Sequence, residues 1–256
     1  CNADGVDAVV FAGDLTADGE RPDFAAVDDA AADLAAPAFA VPGNHDVPKA
    51  FDDHETPALP EFERRFTPGG LPFHVDVGGV DLVGIDTATA SDGSLAAEHG
   101  GRVGHRQLAW LDEVLPHLST PVVVGHHNVT SYLGGVPAAT ARSSFPLADA
   151  TALLETLAVH DVALFCSGHL HVPAVASTAG VREVVVPPLS SFPQGYLRLA
   201  VGPEGTAVRY VPVADPPGIE ESYMAARTAT ARTEAVVEMT ASQLGSLPLR
   251  DELGAE

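Results

Sequence analysis

Four short apolar runs in this chain each stop at a glycine followed at once by a side chain able to bind a cation or move a proton. Residues 6–12 end at Gly13-Asp14, residues 37–42 at Gly43-Asn44-His45-Asp46, residues 122–124 at Gly125-His126-His127, and residues 162–166 at Ser167-Gly168-His169-Leu170-His171. The runs are short and rich in β-branched residues, so they read as buried strands. Between them the apolar spacing turns helical. Phe24, Val27, Ala31 and Leu34 recur over residues 22–36, with Pro22 near the start. Leu108, Leu111, Val114, Leu115 and Leu118 make an amphipathic stretch beside Trp110, and a further helix is predicted over 147–159. Strands alternating with helices predict mostly parallel pairing, and an open α/β sheet gathers the carboxyl ends of its strands at one crevice. The glycine-closed ends therefore predict one shared site.

The remaining segments predict a second layer. Residues 73–77 and 80–85 flank Gly78-Gly79, a hairpin signal. Residues 47–70 read as a Pro-, Asp- and Glu-rich loop with a short helix near Phe62, and 86–104 as a polar, Gly-rich loop. Both are expected to shape the pocket, with His99 and His105 solvated nearby. Past His171 helical spacing disappears until Pro217. Residues 181–186, 196–201 and 208–213 predict strands, the last two joined by Gly202-Pro203-Glu204-Gly205. The expected fold class is α/β, with two stacked mixed β-sheets flanked by helices, in one domain over residues 1–214. Residues 219–244 carry Ala, Glu, Met and Arg in helical proportions, and 215–256 are expected to form a C-terminal helical extension.

Charge narrows the function classes. Asp and Glu number 35 against 13 Lys and Arg, for a formal net charge of −22, and Lys49 is the single lysine. Such a surface repels phosphate backbones, so nucleic acid is not expected as a general partner. An acidic, lysine-poor chain rich in Ala, Val and Asp is expected of a halophilic, cytoplasmic protein working in high internal salt. No run of eighteen apolar residues and no basic-then-apolar leader occurs, so neither a membrane span nor export is expected. Cys1 and Cys166 are too few and too far apart for a disulfide framework. The chain opens on Cys1, with only about a dozen residues and no tether-like linker before Gly13-Asp14. A truncated start is expected here rather than a lipidated one.

Carboxylate, amide oxygen and imidazoles together suit a divalent first-row ion with mixed nitrogen and oxygen ligation, such as Mn, Fe, Zn or Co. Alone, Gly13-Asp14 reads as an ordinary turn and His126-His127 as a surface pair as readily as a site. Gly168-His169-Leu170-His171 is more specific, since two imidazoles two residues apart are able to face one site. Asn-His-Asp directly after a strand has no common packing role.

Taken together, the order Gly-Asp, Gly-Asn-His-Asp, His-His, Gly-His-x-His resembles the calcineurin-like metallophosphoesterases. The branch of cyclic-nucleotide and glycerophosphodiester phosphodiesterases is nearest, sharing Gly-Asp-Leu-Thr at Gly13 to Thr16 and Gln-x-x-Trp-Leu at Gln107 to Leu111. The resemblance spans residues 7–213. It implies a four-layer α/β/β/α domain and two divalent metal ions that activate a water for attack on a phosphoester. Asp14 would bridge the two ions. Asn44, His126 and His169 would complete one of them, and His171 would bind the other. His45 would bind the phosphate or protonate the leaving oxygen, with Asp46 orienting it. Asn44 and His127 would also face the substrate, His127 from behind the ligands.

The resemblance also implies an opening strand ending in Asp-x-His, with two ligands of the second ion. That strand would precede Cys1, so only one metal site is expected to be complete and the chain is expected to be nearly inactive. Asp52-Asp53-His54 has the spelling but follows no strand, and does not replace it. The implied substrate is a small-molecule phosphoester, diester and monoester both fitting, and no oligomeric state is implied. A non-catalytic metal-binding scaffold and a metal-dependent nuclease are the alternatives.

Overall fold

Every glycine-closed run forms a strand in the computed structural model, which describes residues 1–49, 53–89, 100–132, 147–202, 205–244 and 249–251. In chain order the elements are β1 (Val9–Ala12), α1 (Arg21–Ala32), β2 (Ala38–Val41), α2 (Leu59–Phe66), β3 (Phe73–Val77), β4 (Val80–Gly84), α3 (Gly104–Val114), β5 (Pro121–Val124) and α4 (Ala150–Val159). There follow β6 (Leu164–Ser167), β7 (Ala174–Thr178), β8 (Val181–Val185), β9 (Gly195–Gly202), β10 (Gly205–Pro212), α5 (Pro216–Ala229), α6 (Ala231–Leu244) and β11 (Leu249–Asp251). Local chemistry sets the helix starts. Pro22 sits in the first turn of α1, where no amide bond is lost, and Glu20 and Asp23 cap each other's backbone in a capping box.

A six-stranded mixed sheet runs in the order β3-β4-β5-β6-β8-β7. Its β4, β5, β6 and β8 are parallel, and the antiparallel β3 and β7 close its edges. Opposite lie the parallel pair β1-β2 and the antiparallel β11-β10-β9. Alternation along the strands divides the core. Leu82, Val122, Val124, Leu164 and Cys166 point toward Ala12, Val41 and Val208 of the facing strands. Val83, Val123 and Phe165 point the other way, under Leu111 of α3 and Leu153 and Leu157 of α4. On the outside of β1-β2, Phe24, Phe62 and Phe66 of α1 and α2 meet edge to face over Ala40. The layers are thus helix, strand, strand and helix, as the resemblance implies.

β1 and β9 border a groove of about 430 Å³ floored by Leu82, Val122, Val124 and Cys166. The hydrogen bond between Asp4 and Tyr196 of β9 ties the segment ahead of β1 to its far wall. β7 and β11 were not among the expected strands. Ala174-Val175-Ala176-Ser177-Thr178 carries too little apolar alternation to stand out, yet β8 gives it a full antiparallel register. The predicted tail helix is two helices, and α6 lays Val236 and Met239 against Leu170, Val172 and Tyr132. Of the expected loop residues, His99, Asp52, Pro203 and Glu204 lie outside the described residues, while His54 and His105 are exposed. No helix among the described residues is long and apolar enough to cross a membrane.

Candidate metal centre

β1 and β2 are parallel neighbours, so Gly13-Asp14 and Gly43-Asn44 leave the sheet side by side. Their approach leaves no room for side chains. A Cβ at Gly43 would lie 2.1 Å from Asp14 Oδ1 and 2.3 Å from Asp14 N. One at Gly13, where φ is +85°, would lie 2.4 Å from His126 Nδ1. Asp46 stitches the two turns together. Its buried carboxylate accepts from Gly43 N (2.9 Å), Leu15 N (3.1 Å), Thr16 N (3.1 Å) and Thr16 Oγ1 (3.0 Å). The His45 ring is held by a bond between Nδ1 and the Ala17 carbonyl (2.6 Å), so Asp46 bears on His45 through the 14–17 turn.

From the facing sheet, His126 reaches across. Its Nδ1 donates to the Ala12 carbonyl (2.8 Å), which leaves Nε2 with the lone pair. That Nε2 lies 3.3 Å from Asp14 Oδ2, 3.3 Å from Asn44 Oδ1 and 3.2 Å from His169 Nδ1, and His169 Nδ1 lies 3.1 Å from Asn44 Oδ1. The structure therefore brings Asp14, Asn44, His126 and His169 from four strand ends to one point. His127 joins them, since one ring nitrogen from each of His126, His127 and His169 lies within 4.8 Å of the others. His171 does not contact this knot in the described bonds. It is exposed beside it and acts on His169 through its charge. Asp14 (φ +50°), His169 (φ +64°) and His171 (φ +58°) are all left-handed, a conformation rare outside glycine and concentrated at functional sites.

The electrostatics suit a cation. Asp14 Oδ2, Asn44 Oδ1 and His126 Nε2 are acceptors turned toward one another, which is stable only around a proton or a metal ion. Burial opposes ionisation of Asp14, but His126 and then His45 outweigh it and hold the carboxyl well below its usual range. Burial likewise opposes charge on His126, and Asp14 overcomes it and raises the imidazole. His169 goes the other way, depressed by burial and then by His127 and His126, so it stays in the neutral form that ligates metals. Its Nδ1 is the ring nitrogen turned to the other donors, and its Nε2 is buried with no hydrogen-bond partner among the described residues. Burial and the Asp14 charge push Asp46 up to about 6. The residues fit a divalent ion.

Two supporting residues were not expected from the sequence. Thr87 Oγ1 accepts from His126 N (3.1 Å) and His127 N (3.1 Å) and lies 3.0 Å from His127 Nδ1. With both lone pairs taken, its own proton points at Nδ1. His127 then carries its hydrogen on Nε2, which makes it a donor rather than a ligand. The other is Glu183, buried on β8 among the donors that follow His127 and precede His169. The available signal was an acidic residue inside a predicted strand otherwise made of valines and Arg182.

Comparison with known proteins points to one family. A probable cyclic nucleotide phosphodiesterase of Synechococcus sp. is 27% identical over 208 residues, covering 78% of this chain and 74% of the relative. A probable cyclic nucleotide phosphodiesterase of Rhodococcus erythropolis is 28% identical over 181 residues, and the match spans 68% of this chain and about half (54%) of the relative. Among solved structures, GAP50, the anchor in the inner membrane complex of Plasmodium, superposes with a TM-score of 0.51 over 82% of this chain and 76% of its own, at 16% identity. The profile of the calcineurin-like phosphoesterases matches residues 1–173, a segment that ends two residues past His171. By that match, over most of its length and every residue of the knot, the chain belongs to the calcineurin-like phosphoesterase family of hydrolases.

Proposed function

We propose that this protein hydrolyses small organic phosphodiesters, with a divalent cation held by Asp14, Asn44, His126 and His169. The observation that supports this reading is the convergence of those donors, each within 3.3 Å of another, with an orphaned imidazole nitrogen beside them. Mn, Fe, Zn or Co bound there would offset phosphate charge and bring the acidity of a coordinated water near neutral pH. A dinuclear centre extends the reading, with Asp14 shared and His171 on the second ion. A further strand seated in the groove between β1 and β9, parallel to β1, would bring its carboxyl end to Asp14.

His127, with its proton on Nε2, supplies a hydrogen bond to a phosphate oxygen. Because His45 Nδ1–H is committed to the Ala17 carbonyl, the ring acts as an imidazolium, giving its Nε2 proton to the leaving oxygen and keeping the one on Nδ1. The protein expressed from its complete reading frame is expected to hydrolyse bis(p-nitrophenyl) phosphate with Mn²⁺, and failure on every phosphoester tried with metal loaded rejects the reading. In that protein His45→Ala is expected to lower kcat by roughly 10²–10⁴ for an alkyl leaving group and much less for p-nitrophenolate, which needs little protonation. Equal losses on both substrates would refute the acid role.

The acidic surface supports a second element of the proposal, a halophilic cytoplasmic setting. Self-repulsion from a net charge of −22 weakens as the Debye length falls to about 3 Å at 1 M salt. Melting temperature is expected to climb steeply into the molar range of KCl, and a flat response rejects the setting. The same charge argues against nucleic acid as the substrate.

A further inference from the structure

We propose that Glu183 is a positioning residue for the metal centre, fastening together the two strand exits that carry His126, His127 and His169. The inference rests on the functional reading above. Glu183 stands in the middle of β8 and is 1% exposed. Its register partner on β6 is Phe165, so both face the helix side of the six-stranded sheet, as does Ser167 two residues on. A carboxylate in that place needs an explanation, because a buried charge is costly unless its oxygens are fully bonded.

They are. Oε1 accepts from Ser167 Oγ (2.7 Å), Val129 N (2.9 Å) and Asn128 Nδ2 (3.3 Å), and Oε2 accepts from Thr130 N (2.8 Å) and Tyr132 OH (3.2 Å). Each of these partners can donate, so the acceptor-only ionised carboxylate is the form that matches. The donors have two origins. Residues 128–132 follow His126-His127 directly, and Ser167 directly precedes Gly168-His169. Asn128 repeats the link, donating to Ser167 Oγ (2.9 Å) and to the Gly168 carbonyl (3.3 Å). Without the carboxylate, the amides of Val129 and Thr130 would be left in the interior with no acceptor. The loop would have to shift toward water, taking the His126-His127 step with it.

Glutamine cannot substitute quietly. Whichever way its amide turns, the NH₂ faces either Val129 N–H or Thr130 N–H, and neither backbone donor can rotate away. In the metal-loaded protein Glu183→Gln is expected to weaken Mn²⁺ binding about 10- to 100-fold by titration calorimetry. It is also expected to alter the visible bands of the Co²⁺-substituted protein. A structural control is Leu157→Ala. Leu157 lies just ahead of β6, where its carbonyl accepts from Val162 N, at the end of the strand away from His169. That variant is expected to melt earlier yet hold Mn²⁺ within twofold of wild type. Mn²⁺ affinity unchanged in Glu183→Gln, or equally reduced in Leu157→Ala, overturns the proposal. If Glu183→Gln does not fold, Tyr132→Phe and Ser167→Ala decide. A several-fold loss in both supports the proposal, and no loss in either overturns it. A wild-type protein that binds no Mn²⁺ would instead bring down the metal-centre reading, and this inference with it.

Discussion

Asp14→Asn is expected to lose Mn²⁺ affinity by more than about a hundredfold, beyond the range seen when residues behind the ligands are changed. Asp14 Oδ2 is the one carboxylate oxygen among the donors in contact at the described centre, facing His126 Nε2 at 3.3 Å. The substitution keeps the shape and removes the charge. A thermal-shift series separates this effect from a folding defect. At a Mn²⁺ concentration of 100 times Kd, wild type gains about 2.7 kcal/mol from binding, or roughly 5–10 °C for a chain of this size. Asp14→Asn is expected to show almost none of that rise at the same concentration. A wild-type-sized shift in the variant would remove Asp14 from the centre.

Gly43→Ala is expected to destabilise the protein by about 3 kcal/mol, the upper end for forcing one methyl group into a filled space. The added Cβ would meet Asp14 Oδ1 at 2.1 Å and Asp14 N at 2.3 Å. The second of these is backbone, so no rotamer change relieves it. Separation of the turns would also break the bonds that Asp46 makes to both. Gly100→Ala is the matched control, with nothing among the described residues within 4 Å of the new carbon. Urea unfolding should place Gly43→Ala far below wild type and Gly100→Ala beside it. A Gly43→Ala midpoint within the equivalent of about 0.5 kcal/mol of wild type would show that the turns have slack.

These expectations indicate what the sequence could and could not reveal. The strand exits were legible because the signal is local: a β-branched run, a glycine that permits a tight exit, then a polar side chain. That pattern offers Asp14, Asn44, His45, His126, His127, His169 and His171, and the resemblance sorts their roles. His171, two residues after His169, came from the same spacing and stands exposed beside the centre with φ at +58°. Thr87 was not legible, because nothing next to it in sequence distinguishes it, and Glu183 showed only as a charge inside a valine-rich predicted strand. Thr87 acts on amides 39 and 40 positions away, and Glu183 on one 54 positions away. The seating of α6 on Leu170 and Val172 was hidden for a related reason, since the tail is helical in composition without one strongly apolar face.

Among the described residues, β1 and β2 pair with each other alone. A ribbon that narrow has little cohesion of its own and depends on what it leans against. Here it carries Asp14 and Asn44, while the broad sheet carries His126 and His169, so an ion seated among them would act as a rivet through both halves of the sandwich. Drawing that rivet should let the halves slide, and amides in the narrow ribbon should exchange with solvent sooner than those of β5 and β6.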